Sequence, residues 1–208
     1  MAIAPPVALA DALAPLQLPA DLCLSPEQFA AVCAANPEAV LELDAAGHLI
    51  HMTPTGGETG ARSSRLLMRL LAWADQIGGW QLFDSSTGFR LPDGSVLSPD
   101  ASLLRLERWQ ALTPEQRRSF PPLCPDVVVE LASPSDQGPR SLNALRRKMV
   151  AYQANGAQLG WLLIPEEQAV EIWTAVGEPH RIAAVTHLDG GELLPGLRVE
   201  LQEIWQIL

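Results

Sequence analysis

The stretch from Asp126 to Pro165 permits few folds. "DVVVEL" is an apolar run of strand length, "GPRSLNALRRKMVAYQANG" carries its apolar residues at helical spacing and closes at Gly156, and "LGWLLIP" is a second apolar strand. Two strands joined by one helix lie parallel, with a right-handed crossover. The alternating "QAVEIWTAV" that follows reads as a further partner strand, so a mixed central sheet flanked by helices is predicted. A glutamate, Glu130, sits inside the first apolar strand. Burying a carboxylate is costly unless it is paired or metal-bound, so this strand is also where chemistry is expected.

Upstream, "SPEQFAAVCAANP" has a serine N-cap and a proline at the first helical position, which predicts a short helix. "AVLELDAAGHLIHMTP" reads as two strands joined by a turn at residues 45–47. "ETGARSSRLLMRLLAWADQIGG" carries Leu66, Leu67, Leu70, Leu71, Ala74 and Ile77 at helical spacing and ends in two glycines. "WQLFD", "STGFRL" and "SVLSPDASLL" are short strand-like pieces, and "LERWQALTPEQRRSF" is a polar helical excursion. The end, "GELLPGLRVELQEIWQIL", reads as a strand and a terminal helix. The proline-interrupted opening has no basic n-region, so residues 1–24 are expected to be a flexible lead-in and residues 25–208 one domain.

Charge narrows the function classes. The net charge is −10, and seven acids precede the first basic residue, Arg62. Tight non-specific nucleic-acid binding comes mainly from cations on phosphates, so any DNA contact must be local or metal-bridged. Three widely spaced cysteines argue against a disulfide framework or a zinc knuckle, and no apolar run reaches membrane-span length. A cytoplasmic protein without membrane contact is expected.

Three Pro-Asp pairs occur, ending in Asp93, Asp100 and Asp126. Asp93 precedes Gly94 and is a turn residue. Asp126 and Glu130 lie four residues apart on one strand, about 13 Å at ~3.3 Å per residue, too far to share one ion. Asp100 comes from a separate, preceding strand and can lie beside Glu130 if the two strands are neighbours. A carboxylate pair suits Mg²⁺ or Mn²⁺, which polarises a phosphodiester and acidifies the attacking water. The only lysine of the chain, Lys148, lies about 80° to one side of the stripe formed by Leu142, Leu145, Met149 and Tyr152, with Arg147 pointing to solvent. Arg146 flanks the other side of that stripe at a similar angle, and geometry alone leaves both cations open.

"HMTPTGGETG", "SPDASLLRLERWQALTPEQ", "PPLCPDVVVELASPSD" and "KMVAYQANGAQLGWLLIP" resemble, in order and spacing, the bacterial Uma-two family of restriction-endonuclease-like proteins, part of the PD-(D/E)xK nuclease superfamily. The resemblance runs from about Glu42 to the C-terminus. It implies a restriction-endonuclease-like α/β core, extended by the N-terminal helix and strands, and a Mg²⁺- or Mn²⁺-dependent nuclease acting on DNA. Asp100 matches the motif aspartate and Glu130 the motif acid, both as metal ligands. The superfamily expects lysine two positions after the acid, where this chain has Ala132; Lys148 on the following helix matches the displaced lysine. Glu58, at the start of the long helix, resembles an additional acid of the site.

The competing reading is a catalytically silent nuclease-fold module that binds nucleic acid or protein. Arg62, Arg65 and Arg69 share the helix face of Glu58 and suit either phosphate contacts or a solvated surface. The six tryptophans are scattered, which favours core packing over a base-stacking platform. A homodimer is expected, with the apolar "LQEIWQIL" as the self-association surface. Lys148→Ala is expected to abolish metal-dependent cleavage while leaving folding and metal binding largely intact.

Overall fold

The computed structural model describes Pro19, residues 21–134 and residues 139–206, so most of the predicted lead-in lies outside the described residues. Helix α1 (Pro26–Ala35) starts on a capping box in which the Ser25 hydroxyl accepts from the Gln28 N–H and the Gln28 side chain accepts from the Ser25 N–H. The predicted hairpin follows as β1 (Val40–Leu43) and β2 (Leu49–Met52), paired antiparallel. The long helix α2 (Gly57–Ile77) stops at Gly78, whose positive φ lets the chain turn. Strands β3 (Trp80–Asp84), β4 (Phe89–Arg90), β5 (Val96–Leu97) and β6 (Ala101–Arg105) come next, and the excursion folds into α3 (Leu106–Ala111) and α4 (Pro114–Arg118). Then come β7 (Val127–Leu131), α5 (Pro139–Ala154), β8 (Leu159–Ile164), β9 (Ala169–Thr174), β10 (His180–Ala183), β11 (His187–Asp189), β12 (Arg198–Glu200) and α6 (Gln202–Trp205).

The central sheet has six strands in the order β10-β9-β8-β7-β6-β3. Only β7 and β8 run parallel, joined through α5 as the strand–helix–strand pattern predicts. A second sheet, β2-β1-β5-β4, is hydrogen-bonded separately from it, and β11 pairs with β12. "SVLSPDASLL" is therefore two strands in two different sheets. Pro99, which has no N–H to give to a ladder, falls at the break.

Side-chain alternation divides the central sheet into two faces. Val127, Val129, Leu131, Trp161 and Leu163 pack with Leu66, Leu70 and Trp73 of α2, and with Leu201, Ile204 and Trp205. Val128 and Leu162 pack on the other face with Met149 and Tyr152 of α5. Two expectations change here. The buried stripe of α2 runs Thr59, Arg62, Leu66, Leu70, Trp73 and Ala74, leaving Leu71 and Ile77 half exposed. The C-terminal residues Leu201, Ile204 and Trp205 are core residues held under α2, so they present no self-association surface. Gln202, Glu203 and Gln206 make up the rest of that segment's described part, and residues 207–208 lie outside the described residues. Four of the six tryptophans, Trp73, Trp161, Trp173 and Trp205, are buried, which places them in packing. Cys23, Cys33 and Cys124 are free, and no helix among the described residues is long and apolar enough to cross a membrane.

Candidate active site

The site forms where the two sheets meet, and the tripeptide Ser98–Pro99–Asp100 makes the seam. β5 belongs to the second sheet through Leu43 opposite Val96, and β6 belongs to the central sheet through Ala101 opposite Val129. Extending the β6–β7 register by one residue puts Asp100 opposite Glu130. The Asp100 Oδ2 accepts the Leu131 N–H at 2.7 Å, which ties the turn to the end of β7. Glu130 is fully buried on the α5 face, between Val128 and the end of the strand.

Lys148 descends from α5 onto this point. Its Nζ lies 2.9 Å from Glu130 Oε1 and 2.9 Å from Glu42 Oε1, and donates to the Ser98 carbonyl at 3.1 Å. The Tyr152 hydroxyl, one helical turn further along, donates to Glu130 Oε1 at 3.2 Å. Glu42 comes from β1 of the second sheet and accepts the Ser98 N–H at 2.8 Å. Its other oxygen, Oε2, is buried with no hydrogen-bond partner.

Burial pushes the Glu130 carboxyl up, and although Lys148 pulls it back, the Asp100 and Glu42 carboxylates push it further, to about 8. Burial alone would pull the Lys148 ammonium down, but Glu130 and Glu42 outweigh it and hold it above its ordinary value. Burial first, then Glu130 and Glu42, raise the Tyr152 hydroxyl well above its ordinary value, so it stays a proton donor. The arrangement is one ammonium shared by closely set carboxyl groups, a set of hard oxygen ligands with more negative than positive capacity. Glu42 and Lys148, but not Asp100 or Glu130, line a cavity of about 480 Å³ between the β1–β2 hairpin and α5, with Leu97, Leu145 and Arg147 also in its wall.

The structure thus brings Asp100, Glu130 and Lys148 together. Lys148 reaches into the middle of the sheet, and the ambiguity over Arg146 resolves: Arg146 grips Glu171 of β9, with Nε 3.1 Å from both carboxylate oxygens. Arg147 is exposed, as predicted. Glu58 stands at the start of α2, on the other face of the central sheet; it is 69% exposed, and Arg62 Nη2 lies 3.6 Å away. Among the described residues no three His, Cys, Asp or Glu side chains converge to hold a metal ion, so Glu58 forms no triad with Asp100 and Glu130 in this arrangement.

The arginine face of α2 is largely committed within the chain. Arg62 is buried and its Nε donates to the Ile204 carbonyl at 3.1 Å, while Arg69 Nη2 lies 2.5 Å from Glu203 Oε2. Asp126 joins Arg108 at 2.8 Å and accepts from Gln158 and the Arg105 N–H, a fixture at the far end of β7. Asp93 accepts from Ser95 and Asn155 in its turn.

Sequence reasoning missed Glu42 and treated Tyr152 as packing alone. Glu42 alternates with Leu41 and Leu43 on a hairpin strand, the pattern of a solvent-facing residue. Its burial follows from the docking of one sheet beside another, which no local pattern encodes. Tyr152 did carry a signal: it is the only tyrosine in the chain and lies four residues after the only lysine.

A family model described as "Uma2: Putative restriction endonuclease" matches residues 26–204 of the chain, a span that takes in α1 and Glu42 as well as the segments noted above. Comparison with curated proteins gives no match. Among solved structures, the fold is similar to that described as a putative nuclease belonging to DUF820 from Anabaena variabilis, with a TM-score of 0.71 and 18% identity, covering 88% of this chain and 97% of that one.

Proposed function

The chain belongs to the Uma2 family of putative restriction endonucleases, and from that premise we propose that it is a Mg²⁺- or Mn²⁺-dependent endonuclease that hydrolyses phosphodiester bonds of DNA. The observation that carries this reading is the landing of Lys148 on Glu130 with the Asp100 carboxylate coupled to the same group. The superfamily pattern expects a lysine two positions after Glu130, where this chain has Ala132, and Lys148 of α5 offers an ammonium at that carboxylate instead.

The residues fit a divalent ion. Glu42 and Glu130 each lie 2.9 Å from the one ammonium and Asp100 stands opposite Glu130 on the neighbouring strand, which on full ionisation leaves two negative charges unmatched. Asp100 and Glu130 would hold the ion, since hard cations of this kind take one or two protein carboxylates and complete their shell with water and phosphate oxygens. Such an ion polarises the phosphodiester and acidifies the attacking water. Lys148 supplies a fixed positive charge next to the carboxylate pair, where negative charge builds on the attacked phosphate. Tyr152 fixes the Glu130 rotamer by its hydrogen bond, leaving the second carboxylate oxygen for the ion. The net charge of −10 favours approach of DNA through local contacts over a broad electrostatic footprint.

One observation favours the silent-module reading: Lys148 already occupies Glu130 Oε1, and the ammonium has all three of its donors directed at acceptors. Calorimetric titration with Mn²⁺ separates the two readings. Uptake by the wild type that is lost in Asp100→Ala supports the nuclease; no uptake, or equal uptake by the variant, supports the module. Mn²⁺-dependent nicking of a plasmid by the wild type then tests the reaction itself.

A further inference from the structure

Glu42 lies outside the central sheet and the nuclease motif, yet it is 1% exposed and its carboxylate meets the Lys148 ammonium at the same 2.9 Å as Glu130 does. Building on the proposed metal site, we infer that Glu42 is a positioning residue that anchors Lys148, so that the ammonium stays in place when a cation takes the Glu130 oxygens.

The argument is a count of donors and of alternatives. An ammonium has three N–H groups. In Lys148 one faces Glu130, one faces Glu42 and one goes to the Ser98 carbonyl. Ser98 in turn gives its N–H to Glu42 Oε1 at 2.8 Å. Lys148, Glu42 and Ser98 therefore close a ring that does not include Glu130, and two of the three ammonium bonds belong to it. Glu130 has other company, because Tyr152 donates to the same Oε1 and Asp100 lies beside it. Glu42 has only Lys148 as an ion-pair partner among the described residues, and its Oε2 has no hydrogen bond at all. Withdrawing Glu130 leaves Lys148 with a charged partner and a carbonyl. Withdrawing Glu42 leaves a buried ammonium tied to the carboxylate that the metal requires, in direct competition with the metal. The anchor also explains why Ser98 and Asp100 are two residues apart: a single turn carries the fixture for the lysine and a ligand for the ion.

The single lysine makes the test specific, because ¹⁵N-lysine labelling gives one side-chain ammonium resonance. In the wild type without metal, Lys148 Nζ should give a resolved, slowly exchanging signal. Glu130→Gln should keep it, and Glu42→Gln should lose it to solvent exchange; the glutamine retains an oxygen for the Ser98 N–H, which protects the local fold. Loss of the signal in Glu130→Gln with retention in Glu42→Gln overturns the inference, as does equal retention in both variants. The Glu130→Gln arm decides the matter alone if Glu42→Gln does not fold, since loss of the signal there removes Glu42 as a sufficient anchor. Adding Mg²⁺ to the wild type should shift the resonance and leave it sharp, whereas its disappearance on Mg²⁺ addition overturns the inference. An unshifted resonance at millimolar Mg²⁺, with no Mn²⁺ uptake by calorimetry, counts against the metal-site reading; anchoring by Glu42 is then judged by the two variants.

Discussion

Helix α5 delivers two cations to the same face of the central sheet, two residues apart, and their fates differ. Arg146 meets Glu171 on β9, and Lys148 meets Glu130 on β7. The arginine contact is self-contained: one guanidinium grips both oxygens of one carboxylate, and the Arg146 side chain remains 34% exposed. The lysine contact is not. Lys148 is 13% exposed, and its single charge serves Glu130 and Glu42 with Asp100 coupled to the cluster. A matched pair has no electrostatic need for a further ligand, whereas a cluster with surplus carboxylate has one. Side-chain chemistry follows the same division: the flat fork of arginine suits a closed pair, and the compact ammonium suits a point shared among several oxygens.

The largest effect that sharpens this contrast is on stability. Removing one partner from a buried ion pair costs about 3–5 kcal/mol because it strands the remaining charge, so Lys148→Ala should lower the unfolding free energy by about that much in urea. This revises the expectation from sequence that folding would be largely untouched, and the reason is that Glu42 and Glu130 are both buried against the ammonium. A loss below about 1 kcal/mol would place Lys148 in the class of exposed pairs and remove the contrast.

Next in size is a pH effect confined to the lysine cluster. With Glu130 raised to about 8, a cation must displace its proton at neutral pH. Mn²⁺ affinity should therefore rise about tenfold per pH unit up to about 8 and then level off. Because the folded-state value lies above the ordinary carboxylate value, this group also contributes stability at acid pH that is lost as pH rises through about 8. Calorimetry in buffers of different ionisation enthalpy should detect the released proton; affinity that is flat between pH 6 and 8 would contradict the assignment of Glu130 as ligand.

Smaller still is Arg146→Ala. Glu171 loses its partner, but a cation one-third exposed exchanges much of its interaction for water, so a loss of about 1–2 kcal/mol is expected in the same urea assay. Cleavage by the folded fraction should be unchanged. Arg147→Ala should shift stability by less than about 0.5 kcal/mol and leave cleavage alone, because Arg147 is exposed. A large loss of cleavage in Arg147→Ala would make the cavity wall, rather than the lysine cluster, the phosphate contact.

What was legible in the sequence follows the range of the interactions involved. The strand–helix–strand core was readable because β7, α5 and β8 each bury a continuous or periodic apolar set, and the pairing of Asp100 with Glu130 needed only that β6 and β7 be neighbours. The buried stripe of α2 was misplaced because Thr59 and Arg62, both polar, belong to it; Arg62 is buried to satisfy the Ile204 carbonyl, a partner 142 residues away. β10 and β11 were not read, since "HRIA" and "HLD" are short and "HRIA" is mostly exposed. Glu42 was illegible for the same reason as Arg62: its partner Lys148 is on a distant helix, and a glutamate between leucines on a hairpin signals a wet face. The roles proposed for Asp100, Glu130 and Lys148 came from the family resemblance joined to helix geometry, and Arg146 could be set aside only once Glu171 was seen beneath it.

The central claim is that position 148 requires an ammonium, whereas position 146 requires only a cation matched to Glu171. The reciprocal exchange Lys148→Arg and Arg146→Lys tests it, measured as the Mn²⁺-dependent nicking rate of a supercoiled plasmid per folded molecule. Both variants keep the net charge of α5. The account predicts that Arg146→Lys nicks at the wild-type rate and that Lys148→Arg is slower by about 10²–10³, the usual loss when one transition-state electrostatic contact is misplaced. Nicking by Lys148→Arg at the wild-type rate would contradict it.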